Sequence, residues 1–287
     1  MRKILLFISF AALAFLTACE DSINLDVPKG QSFPVMDAWI TNETGLQKIR
    51  FTMSVPYTDQ APAPIINDAT ITLYDLTSGA NYPFTFKNDM YTYDAGNKPI
   101  GIIGHAYKLH VAYKGEIFEA LDTLRRVPPI DSITFEYKTK DEALSGKEGY
   151  YAKFHAKDLS GATDYYWIRS YRNDTTKKVS DVFSIDGTYD EGLSDGASFI
   201  LPIAQGITDN DHPFLLNETV IVKIFSITHG NYDFLTQVND QVHAGGLFAK
   251  VLENVRSNVL NTTPNGKIKI LGRFGTSAVS RAEKTAK

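Results

Sequence analysis

The sequence predicts a mainly β protein: an immunoglobulin-like β-sandwich followed by a second β domain that carries one helix. Three observations predict this class. Short runs that alternate apolar and polar residues recur from residue 35 onward, separated by turn-forming residues, as half-buried strands require. Seven such runs fall within about ninety residues, the strand density of an immunoglobulin-like sandwich. Only one later segment has a helical period, and nothing repeats at a fixed spacing, which argues against a propeller or solenoid.

The first series of strands is predicted at 35–41, 47–54, 69–75, 81–86, 90–93, 106–113 and 116–122. In the third, strict alternation places Ile71 and Leu73 on one buried face. Lys114-Gly115 between the last two reads as a tight hairpin turn. Arg125-Arg126-Val127-Pro128-Pro129 does not fit inside a sheet, because proline offers no ladder donor, and it marks a boundary between domains 35–126 and 127–280. The second series follows at 133–139, 150–157, 164–172, 179–185, 220–228 and 267–274. The helix is placed near 231–243, with Asn231 as N-cap. Tyr232, Leu235, Val238 and Val242 form its apolar stripe, and Gly245-Gly246 ends it. Residues 281–287 read as a tail.

The amino terminus carries an address. Met1-Arg2-Lys3 is a short basic start, and Ile4 to Leu16 is apolar apart from Ser9 and Thr-free, too short to span a bilayer but long enough for a signal-peptide core. Leu16-Thr17-Ala18-Cys19 resembles the bacterial lipobox, in which cleavage between Ala18 and Cys19 leaves a lipid-modified cysteine. Residues 1–18 are therefore expected to be a signal peptide and 19–34, with Pro28, Gly30 and Pro34, a tether. Removal of Arg2 and Lys3 takes 29 basic residues to 27 against 33 acidic ones, so the mature charge is −6. Glu20 and Asp21 resemble the acidic signal that sends Bacteroidetes lipoproteins to the cell exterior.

Composition excludes several classes. With 43% hydrophobic and 22% charged residues the chain is neither disordered nor fibrous. One cysteine excludes an intramolecular disulfide framework, a zinc finger and a cysteine-ligated cluster. A net charge of −4 gives no bulk attraction to nucleic acid.

The six histidines lack metal-ligand spacing, and neither a nucleophile elbow nor a phosphate loop is present, so no cofactor is expected. Asp186, Asp190, Glu191 and Asp195 cluster near glycines and form a weak metal candidate without EF-hand spacing. Tyr165, Trp167, Arg169 and Tyr171 share one face of a strand. That face is either an aromatic-and-arginine platform for sugar rings or a partner, or a surface where Tyr165 and Trp167 pack under the helix while Arg169 snorkels outward.

Several motifs occur in a recognisable order. A Cys19-Glu20-Asp21 start precedes Ala69-Thr70-Ile71 and the Val127-Pro128-Pro129-Ile130-Asp131-Ser132-Ile133 junction. Then come Tyr232-Asp233-Phe234-Leu235, Asn254-Val255-Arg256-Ser257-Asn258-Val259, Gly266 and Leu271-Gly272-Arg273-Phe274. Together they resemble the Bacteroidetes surface lipoprotein family catalogued as domain of unknown function 4249, across nearly the whole mature chain. The family often closes on a glycine-rich stretch, where this chain has Asn261-Thr262-Thr263-Pro264-Asn265-Gly266-Lys267. The resemblance implies a lipid-anchored outer-membrane accessory protein, often associated with a TonB-dependent transporter, with no established catalytic residues. The expectation is thus a non-catalytic binding subunit. The alternatives are a structural component of the envelope or a hydrolase with an unrecognised site.

Overall fold

Nine strands form one curled sheet because a single strand turns its corner. They are β1 (Pro34–Thr41), β2 (Leu46–Met53), β3 (Thr70–Asp75), β4 (Asn81–Lys87), β5 (Met90–Asp94), β6 (Ala106–Tyr113), β7 (Glu116–Thr123), β13 (Leu260–Asn261) and β14 (Leu271–Ser277). Their order is β13-β7-β6-β3-β4-β5-β2-β1-β14. Asn81 to Phe84 of β4 pair with β3, whereas Thr85 to Lys87 pair with β5, so β4 joins two limbs that fold face to face. The limbs enclose a core of Ile71, Leu109 and Val111 from one side and Met36, Ile49 and Phe51 from the other. Phe51 and Tyr113 meet edge to face across it at 5.3 Å. The protein is mainly β and sandwich-like, as its alternation predicts.

The computed structural model describes residues 30–56, 59, 61–192, 195–243 and 255–287. Ala18, Cys19, Glu20, Asp21 and the helix stop at Gly245-Gly246 lie outside these residues.

A second group of strands builds a second core. A hairpin of β8 (Ile130–Lys138) and β9 (Gly149–Ala156) accompanies a four-stranded sheet ordered β11-β10-β12-β15. That sheet contains β10 (Tyr165–Arg172), β11 (Lys178–Ile185), β12 (Thr219–Ile227) and β15 (Val279–Thr285). Two helices complete the described residues, α1 (Leu201–Gln205) and α2 (His229–His243). Phe154, Tyr166, Ile168, Ile203, Phe214 and Ile224 fill the core between them.

Ser32–Lys287 form one compact unit, with no division at Val127. Val127 packs against both cores. Neighbouring Arg126 donates to the Asp164 carboxylate at 2.8 Å and to the carbonyls of Leu159, Ser160 and Ala162. The C-terminal strands then return to the first sheet, where β14 pairs in parallel with β1. Residues 281–287 are not a tail. β14 leads through buried Ala278 directly into β15, which pairs with β12 from Phe225 to Thr219.

Two local features follow from side-chain chemistry. Lys114 and Gly115 both adopt positive φ, 49° and 78°, as a type I′ hairpin turn demands. Asn231 is not the N-cap of α2. It lies within the helix, fully buried, and its side chain is spent on tertiary hydrogen bonds.

Candidate functional site: an aromatic sheet face and the groove along its edge

Strand alternation does place Tyr165, Trp167, Arg169 and Tyr171 on one face of β10, opposite Tyr166, Ile168 and Ser170, which are buried in the second core. The face is not an open platform. Tyr165 stacks on His229 of α2 with ring centroids 4.8 Å apart and touches Tyr232 at 5.4 Å. Trp167 packs between Trp39 of β1 and Phe225 of β12, each 5.4 Å away. Tyr171 is 7% exposed. Trp39 in turn lies flat on Gly275, where an added Cβ would come within 2.3 Å of its ring. The face is thus covered in two parts, Trp167 by Trp39 of the first sheet and Tyr165 by α2, and a Lys223–Glu43 ion pair at 2.7 Å also joins the two sheets.

Arg169 does not snorkel outward. Its guanidinium lies 4.3 Å from the Trp167 ring centroid and 5.6 Å from that of Tyr171. Its Nε donates to Asp181 Oδ1 at 2.9 Å, and Trp167 Nε1 donates to the same oxygen at 3.0 Å. Lys178 Nζ donates to Asp181 Oδ2 at 2.6 Å. One carboxylate on β11 thus orients the tryptophan, the arginine and a lysine together. Burial raises the Tyr165 hydroxyl above the ordinary tyrosine range, as does its hydrogen bond to Glu191.

Beyond Trp167 the surface opens into a groove of about 670 Å³ along the outer edge of β11. Asp181 and Phe183 of β11 form its floor with Trp167, α2 forms one wall, and Thr208 to Asp211 form the other. The wall of α2 is its apolar stripe, Leu235, Val238 and Val242, with Val242 75% exposed. An amphipathic helix normally buries that stripe, yet in α2 only the polar Asn231 is buried. The sequence shows the stripe by its period. It does not show that Phe183, Asp181 or the 208–211 loop faces that stripe, because nothing local ties them to a helix that starts between about twenty and fifty residues further on.

What holds α2 in place is a buried polar knot rather than apolar packing. Asp122 accepts from Thr228 Oγ1 at 2.9 Å, Asn231 Nδ2 at 2.9 Å, Thr276 N at 2.6 Å and Thr276 Oγ1 at 3.0 Å. Arg273 Nε donates to Asn231 Oδ1 at 2.6 Å, and the Arg273 guanidinium lies 5.4 Å from the Phe234 ring. Asn258 exchanges two hydrogen bonds with the backbone of Phe274. Burial raises the Asp122 carboxyl and lowers the Arg273 guanidinium from their ordinary ranges. The Asn258, Leu-Gly-Arg-Phe and helix motifs, scattered in the sequence, converge here.

The acidic loop residues are engaged separately. Asp186 is 1% exposed and accepts from Asp164 N at 2.5 Å, Asp195 accepts from Gly161 N at 2.9 Å, and Glu191 accepts from Tyr165. The Asp190 carbonyl accepts from Thr188 Oγ1. Among the described residues no three His, Cys, Asp or Glu side chains converge as a metal site. The histidines are dispersed too: His105 pairs with Asp75, His155 with Thr134 and His212 with Asp209.

No curated protein matches this sequence. The family described as domain of unknown function 4249 matches residues 20–283, which takes in both sheets, the knot and the groove. The chain belongs to the domain of unknown function 4249 family.

Proposed function

We propose that this protein is a lipid-tethered, non-catalytic accessory subunit of the bacterial cell surface that binds its partner or nutrient through the groove beside Trp167. The observation that carries the reading is the apolar stripe of α2, which is left half covered and faces an aromatic floor. An exposed apolar patch with a polar rim is the usual mark of an interaction surface. The tether rests on the lipobox at Leu16-Thr17-Ala18-Cys19 and on Glu20 and Asp21 after it. No helix among the described residues is long and apolar enough to cross a membrane. Multi-chain acylation binds a bilayer stably where one chain would not. Tethering beside a TonB-dependent transporter barrel would raise the local concentration of the bound molecule at its entrance.

Purification from membranes in mild detergent tests the partnership: a barrel is expected to co-purify, and recovery as a lone monomer overturns it. Cys19→Ala is expected to move the protein to the soluble fraction, and retention on membranes overturns the lipid tether. A permanent assembly role is the second reading. Leu144, Leu201, Leu215 and Leu216 favour it, all more than half exposed.

A further inference from the structure

We infer that the groove is a receptor for an extended peptide, which adds as a strand to the free edge of β11 with its apolar side chains against α2 and a basic residue toward Asp209 and Asp211. The inference rests on the binding role proposed above and names the class of partner.

Three observations carry it. First, β11 ends the four-stranded sheet, and from Lys178 to Ser184 the only strand it pairs with is β10, while Ile185 also bridges to Thr188. Lys178 to Asp181 and Phe183 of this strand line the groove, and the outer edge of a terminal strand is a template for another main chain. Second, the groove is as long as the strand. Tyr232 of α2 meets Phe183 of β11, and Val242 lines the same groove as Lys178. Ten residues of helix and five of strand both span roughly 15–17 Å, so the groove runs the length of the strand. Third, the far wall is acidic. Asp211 is exposed and Asp209 Oδ2 meets only the surface His212, while Lys178 is already paired with Asp181.

The occupant follows from these features. Alternate side chains of an added strand point to one side, so its apolar positions meet Leu235, Val238 and Val242. Its backbone supplies the partners that β11 lacks, and a lysine or arginine near one end matches Asp209 and Asp211.

The test uses the intact lipidated protein in detergent and a synthetic octapeptide alternating valine and threonine, with lysine at one end. Two further versions carry N-methyl groups on alternate residues, one in each frame. Hydrogen exchange follows the amides of 178–183, with affinity measured in parallel. Free protein is expected to exchange the outward β11 amides fast, and the peptide to protect them. Methylation in the frame that faces β11 is expected to weaken binding about tenfold or more, and in the other frame to change it little. Asp211→Lys and Val242→Glu, both at exposed positions, are each expected to weaken binding several-fold without lowering the melting temperature. Equal binding in both frames overturns strand addition in favour of side-chain docking alone. Protection of the outward β11 amides before any peptide is added means that the edge is already covered, and also overturns it. Absence of binding by every peptide overturns it while co-purification with a barrel still stands, which separates this failure from failure of the accessory role.

Discussion

Removing the carboxylate of Asp122 should release α2 from the body of the protein. In Asp122→Ala, Asn231 Nδ2 and the Thr276 amide lose their acceptor at positions that are 0% exposed. Each orphaned buried donor costs about 1–3 kcal/mol, and relief of the buried charge returns part of that. The net loss should be about 3 kcal/mol, which lowers the melting temperature of a unit this size by about 6–12 °C. Asp122→Asn keeps the shape and one acceptor oxygen, so it should lose roughly half as much. The pH dependence has a definite sign. Burial holds the Asp122 carboxyl above its ordinary 3.8 in the folded state, so the folded state takes up a proton before the unfolded one. Wild type should therefore gain stability relative to either variant as pH falls through the folded value toward 3.8, and lose that gain as pH rises. Calorimetry reads the stability, and hydrogen exchange reads α2, whose amides should exchange faster because little apolar burial holds the helix down. Melting within about 2 °C of wild type together with unchanged α2 exchange would refute the reasoning.

Three other outcomes follow from the same structure. Gly272→Ala should be the harsher of two glycine changes. Its Cβ would sit 2.0 Å from the Met36 carbonyl at a φ of +87°, and the protein should fail to accumulate in soluble form, whereas Gly275→Ala should displace Trp39 and shift tryptophan emission to the red. Arg126→Ala removes the partner of the Asp164 carboxylate, which is 4% exposed, and should cost about 1–3 kcal/mol by thermal melting because solvent reaches the 35% exposed arginine, with little rescue by lysine because the fork is lost. In a spectrophotometric titration Tyr107, pushed up to about 12 by burial, should ionise well after exposed tyrosines. Its contribution to stability is present below pH 10 and lost as pH rises from there through 12.

The strands were the most legible part of the chain because their signal is local. Alternation over seven residues is enough to find Ile71 and Leu73, both fully buried in β3, and the Lys114-Gly115 pair announces its own backbone geometry. Errors fell where the deciding partner is remote. Asn231 looks like a cap because it precedes an apolar period, but Asp122 and Arg273, far away along the chain, claim its side chain. Residues 281–287 read as a tail because Arg281, Glu283, Lys284 and Lys287 dominate them. As far as Thr285 they belong to a strand because β12 presents an unpaired edge. Pro128-Pro129 reads as a boundary, but the return of β14 beside β1, which ties the two ends of the unit together, leaves no local trace.

By itself the sequence determined the β class, the alternation along the strands and the helix stripe, since each depends on residues within a few positions of one another. Tertiary structure alone decided that Trp39 covers Trp167 while α2 covers Tyr165, that Arg169 and Trp167 share Asp181, and that β11 ends its sheet beside α2. Those outcomes depend on which surfaces meet after the chain has closed its longest loops, and neither period nor composition encodes that meeting.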